Sequence, residues 1–129
     1  MKPFAILAFL TPIISLAQPA AHTIDKDTFE TADIMAEFPG GVPASGRFLR
    51  DNIQYPKEAL RAGIQGLVFL EFVVEKDGSI SNVEVSRGLG YGCDKEAIRL
   101  IQSMPKWTPA SKNGSAIRQR MRFTIRFKR

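Results

Sequence analysis

The C-terminal stretch limits the choice of fold more than any other part of this chain. Ile117, Met121, Phe123, Ile125 and Phe127 share one parity, while Arg118, Arg120, Arg122, Thr124, Arg126 and Lys128 share the other. Successive side chains of a strand leave on opposite faces, so this alternation predicts a half-buried strand with a basic outer face. Such a strand needs a sheet beside it and an apolar layer beneath it.

The run from Leu67 to Glu75 supplies the first partner. It is rich in β-branched and aromatic residues, and the parity Val68, Leu70, Phe72, Val74 is wholly apolar, which marks the face to be buried. The other parity, Leu67, Phe69, Glu71, Val73 and Glu75, is mixed and is expected to meet solvent or a partner. Lys76-Asp77-Gly78 forms a tight turn, and Ile80 to Ser86 returns as the second strand of a hairpin. Glu71, Glu75 and Glu84 on the outer parity offer cross-strand pairing to the arginines of the last strand.

Helical signals fill the remainder. Ser45 is positioned to cap a short helix carrying Phe48, Leu49 and Ile53, which Tyr55-Pro56 ends, because a residue before proline is pushed out of the α region. Pro56 opens a second short helix, Lys57 to Ala62, closed by Gly63. Gly88, Gly90 and Gly92 make a flexible connection. Ala97, Ile98, Ile101 and Met104 then recur at helical spacing up to Pro105, with Asp94 and Glu96 where a helix N-terminus favours negative charge. Pro109 to Gly114 reads as a loop with a turn at Asn113-Gly114. The order helix, helix, strand, strand, helix, strand predicts an α+β fold. Its three-stranded antiparallel sheet has the first hairpin strand in the middle, the last strand at an edge and the helices on one face.

The N-terminus reads as an export signal over residues 1–17: Lys2 gives a positive start, Phe4 to Ala17 is apolar, and Ser15-Leu16-Ala17 ends in small residues. The alternative is an uncleaved tether to the inner membrane, although the apolar run is shorter than the roughly 20 residues that span a bilayer. Residues 18–37 form a flexible acidic leader, and residues 38–129 the domain. The formal charge of +5 would suit nucleic acid, but an exported protein meets none, so acidic protein segments or anionic lipid are the expected partners of the basic surface. With one cysteine, Cys93, no internal disulfide can form. That cysteine is either a reactive thiol at a helix start or a small packing residue. The sole histidine, His22, leaves no histidine-dependent triad or multi-histidine metal site in one chain. No cofactor and no enzymatic activity are expected.

Several local signatures occur in a definite order: Phe38-Pro39-Gly40-Gly41, Asn52-Ile53-Gln54-Tyr55-Pro56, Gly66, Asp77-Gly78, Trp107, Asn113-Gly114 and Ile125-Arg126-Phe127-Lys128. Together they resemble the TonB C-terminal domain family, over about residues 38 to 129. The resemblance implies a periplasmic binding module of the cell envelope that takes the TonB box, a segment at the N-terminus of an outer-membrane transporter, as an extra strand on its last strand. Carried onto this sequence, the peptide-binding residues are Asn52, Gln54, Tyr55 and Pro56 with Arg118, Arg120, Arg122, Thr124 and Arg126. Asn52 departs from the family's best-known member, which has Gln there. The leader, about 20 residues and at most about 70 Å long at about 3.5 Å per residue, lacks the reach of the proline-rich spacer of the energy transducer proper.

Competing readings stand beside these. The basic face is either solvated charge that discourages edge-to-edge aggregation or a contact for an acidic partner. Tyr55 is a packing residue or a recognition group, and Trp107 a core or rim aromatic. Leu67, Phe69 and Val73 are covered by the leader or form a self-association surface. The rival function is a structural or assembly protein that self-associates without energy transduction, and the exposed edge leaves room for a strand-exchanged homodimer.

Overall fold

The computed structural model describes residues 29–129, so the export signal and the first part of the leader lie outside the described residues. The elements are α1 (Gly41–Asn52), α2 (Lys57–Ala62), β1 (Gly66–Val74), β2 (Ile80–Arg87), α3 (Cys93–Gln102), β3 (Ala110–Lys112), β4 (Ser115–Ile117) and β5 (Gln119–Phe127).

β1 lies at the centre of a three-stranded sheet of order β2, β1, β5, antiparallel to both neighbours. The α+β architecture with the last strand at the edge is therefore the one the hydrophobic pattern predicts. Val68, Phe72 and Val74 are fully buried and Leu70 almost so. They pack with Ile125 and Phe127 of β5 and with Ala97, Leu100 and Ile101 of α3. Phe38, Phe72 and Phe123 surround Trp107 at ring-centroid distances of 5.9, 5.4 and 6.2 Å. Trp107 is thus a core aromatic, 6% exposed.

Local differences from the expectation have identifiable causes. α1 begins at Gly41, not at Ser45, because Gly40 takes the left-handed conformation (φ 87°) at its N-cap. Ser45 sits inside the helix and its hydroxyl donates to the Val42 carbonyl at 2.8 Å. The stretch read as a loop is a hairpin: β3 and β4 pair across Asn113-Gly114, both at positive φ (52° and 81°), the pairing that a two-residue turn of this type favours. Ile117 consequently belongs to β4, and Arg118 separates it from β5. Val73, expected on the wet parity, is fully buried outside the main cluster, whereas Leu67 and Phe69 remain 38% and 36% exposed.

The described part of the acidic leader lies against the domain as a strap. Ile34 bridges Ser111 and Glu37 bridges Thr108 in antiparallel fashion, with the Glu37 and Thr108 amides donating to each other's carbonyls at 2.9 and 2.8 Å. Asp33 accepts the Asn113 amide at 2.8 Å, and Glu30 lies 3.6 Å from the Lys112 ammonium. The strap's acids therefore meet the β3–β4 hairpin, and its apolar residues Ala36 and Phe38 enter the core.

Candidate functional site

β1 has its backbone groups engaged on both sides. In β5, alternate residues turn their amides and carbonyls away from β1, and among the described residues no strand pairs with that outer edge. A groove of about 500 Å³ runs beside the edge, walled by Gly46, Leu49 and Ile53 of α1 and its C-cap on one side and by Thr124, Ile125 and Arg126 on the other, with Tyr55 also lining it. Open backbone hydrogen-bonding groups thus border a largely apolar trough, an arrangement able to accept an extended chain whose alternate side chains point into the trough.

Of the residues singled out in the sequence, Tyr55, Thr124 and Arg126 line this groove. The Tyr55 hydroxyl donates to the Ile64 carbonyl, and its ring meets Phe127 edge-on at 5.7 Å, so its polar tip is already engaged within the chain. Gln54 and Pro56 line a separate depression of about 760 Å³ between the α1–α2 connection and α3. Asn52, the last residue of α1, donates from its amide to the Phe48 carbonyl at 2.8 Å and so closes its own helix. Arg118 binds Glu75 at 2.6 Å and lies over the Phe29 ring at 5.4 Å, as Arg120 does at 5.0 Å. Arg122, directly across from Glu71, approaches its carboxylate at 3.8 Å while remaining 91% exposed. Of the three expected acidic partners, Glu71 and Glu75 meet Arg122 and Arg118, whereas Glu84 stands opposite Glu71 on β2, which does not neighbour β5, and the basic face is divided among separate partners.

Two residues that shape this region were not singled out as site residues. Glu96 is 8% exposed. Its carboxylate accepts the Gln54 amide at 2.6 Å, the Arg99 Nε at 2.6 Å and the Arg99 Nη2 at 2.7 Å, and the same Nη2 donates to the Asn52 carbonyl at 2.9 Å. Burial opposes ionisation of Glu96 most strongly, but the Arg99 and Gln54 bonds together outweigh it and hold the carboxyl below the usual range. A charged pair on α3 therefore fixes the connection that carries Gln54, Tyr55 and Pro56. The Glu-x-x-Arg spacing was visible in the sequence, whereas its reach to Asn52 and Gln54 depends on tertiary packing. Asp94, likewise read as a dipole partner, accepts the Leu89 amide at 2.8 Å and pins the glycine-rich connection.

Cys93 is fully buried. Burial, then the Asp94 and Glu58 carboxylates, push its thiol above the usual range, so the site favours the protonated form and the packing role. Glu75 is held below the usual carboxylate range chiefly by its bonds to Arg118 and Ser81.

Residues 51–129 match the family model described as the Gram-negative bacterial TonB protein C-terminal. No curated protein matches the chain.

Proposed function

Because this chain belongs to the TonB C-terminal family, which associates it with TonB-dependent transport in the Gram-negative envelope, we propose that it is a periplasmic, non-enzymatic binding module. In this reading it docks the TonB-box segment of outer-membrane transporters as a strand added to β5. The observation that carries the proposal is the open outer edge of β5 alongside the groove walled by α1. Backbone bonds along the edge would supply affinity, and side chains entering the trough between Leu49, Ile53 and Ile125 would supply selectivity. Tyr55, Thr124 and Arg126 would touch the guest directly. Asn52, Gln54 and Pro56 would act through the connection held by Glu96 and Arg99. Arg118, Arg120 and Arg122 would contribute mainly to the field that attracts an acidic segment.

Titration of the exported chain with TonB-box peptides, read by amide chemical shifts, tests this. Shifts concentrated along β5 are expected. An undisturbed β5 at millimolar peptide would count against the proposal.

A second reading, self-association without energy transduction, draws on Leu67 and Phe69, which leave apolar surface on the face of the sheet away from α3. Sedimentation separates the two readings: a dimer that Phe69→Asp dissociates would favour assembly, and a monomer in both forms would remove it.

A further inference from the structure

The strap touches both sides of the place where β5 begins. On the outer side, the Phe29 ring lies against the guanidinium groups of Arg118 and Arg120, and Arg120 is the cross-strand partner of the buried Val73. On the core side, the Ala36 amide donates to the Gln119 side-chain carbonyl at 2.8 Å, and Gln119 is the first residue of β5. The strap is also fixed by the Ile34–Ser111 bridge to β3 and by the Glu37–Thr108 bridge to the segment just ahead of β3. Residues 29–38 therefore wrap the corner of the sheet from one face to the other. The far end of the edge is different: Thr124, Arg126 and Lys128 border the open groove, and the chain is exposed at Lys128 and Arg129.

We propose that the strap is a register stop that determines specificity, limiting a docked strand to the part of β5 from Met121 to Phe127 and so selecting guests by length and alignment. This rests on strand addition to β5 as the mode of docking. A guest extended past Met121 would run into the strap at Gln119 and Arg120, and each further residue would have to displace existing contacts before forming new ones. The free run corresponds to about seven residues, or about 23 Å at about 3.3 Å per residue. A one-residue slip would exchange the side chains entering the trough for those facing away from it, so a fixed stop also fixes which parity of the guest is read.

The test uses the full exported chain with TonB-box peptides lengthened stepwise from about five to about eleven residues, measured by affinity and by amide shifts. In the parent protein, affinity should rise with length and level off near about seven residues, with the shifts within β5 confined to residues 121–127. Phe29→Ala combined with Ala36→Pro removes the ring and the donated amide. In that variant the shifts should spread to Gln119 and Arg120, and the longest peptides should bind about tenfold more tightly, as expected for about two additional backbone hydrogen bonds. Gln119→Ala, which removes only the acceptor, gives a second route if the double variant does not fold, and should move the plateau in the same direction. Shifts reaching Gln119 in the parent, or identical length dependence in parent and variants, would overturn the register stop while leaving strand addition intact. Absence of β5 shifts with every peptide would overturn both.

Discussion

Replacing Glu96 with Gln probes the clamp behind the Asn52–Pro56 connection. The carboxylate accepts three short hydrogen bonds, two from Arg99 and one from the Gln54 amide. A glutamine of the same size retains one acceptor oxygen but turns an amide NH₂ toward one of these donors, so at least one bond is lost and the others lose their charge. Hydrogen bonds to a charged group contribute about 1.5–3 kcal/mol each. Arg99 is 42% exposed and Gln54 is itself exposed, with its bond to Glu96 only partly shielded, so solvent recovers part of both losses, and the net destabilisation should be about 2 kcal/mol. For a domain of this size that lowers the melting temperature by about 8–16 °C. The pH dependence supplies the sign. The folded carboxyl ionises below its ordinary range, so its contribution is complete above the unfolded value and is lost as pH falls through the lower folded value. Parent and variant should differ by about 2 kcal/mol near neutral pH, and the gap should narrow as the pH falls into acid. Glu75, also held low, titrates in both proteins and cancels from the difference. Urea unfolding across the acid range measures the gap directly. A gap that stays constant from neutral pH into acid, or a variant as stable as the parent at pH 7, would refute the clamp.

Gly78→Ala should cost about 3 kcal/mol in urea unfolding, because a Cβ there would lie 2.1 Å from the Trp107 carbonyl oxygen at a φ of +88° and would disturb the bond from the Trp107 amide to the Gly78 carbonyl. Gly114→Ala, at a φ of +81° with nothing within 4 Å, isolates the backbone component and should cost only about 1 kcal/mol. Equal losses would show that the Trp107 contact contributes nothing. Cys93, buried with a raised thiol, should react with a thiol reagent at neutral pH only as fast as the domain opens, and a rapid reaction without denaturant would contradict the packing role.

Much of the fold was legible because the sheet needs strict parity. Val68, Leu70, Phe72 and Val74 could be assigned to the core, and β5 to an edge, without knowing what packs against them. The limits arose where one residue's conformation or a distant partner decides. Asn113-Gly114 carries the signature of a hairpin turn, but three-residue strands are too short to show alternation, so in the sequence β3 is indistinguishable from a loop and β4 from the start of β5. Val73 shares its parity with exposed neighbours, and its burial depends on what lies over that corner of the sheet. The geometry of the candidate groove was legible in outline: the edge strand, and Tyr55, Thr124 and Arg126 among the residues that line the groove, stand out in the sequence. Leu49 and Ile53 were visible only as one face of a helix, and the trough they form with Ile125 exists only once α1 is placed beside β5. The strap's acids had no periodic pattern, because their partners are single backbone amides and one lysine of the hairpin.

Trp107 is the only tryptophan in the sequence, and its three aromatic neighbours come from different parts of the molecule: Phe38 ends the strap, Phe72 belongs to the central strand and Phe123 to the edge strand. The protein thus carries a single indole, selectively excitable at the red edge of its absorption, at the junction of these segments. Its emission wavelength and quenching report the local environment shared by all three, so loosening of the N-terminal segment or movement of the C-terminal strand can be followed in solution without attaching a label.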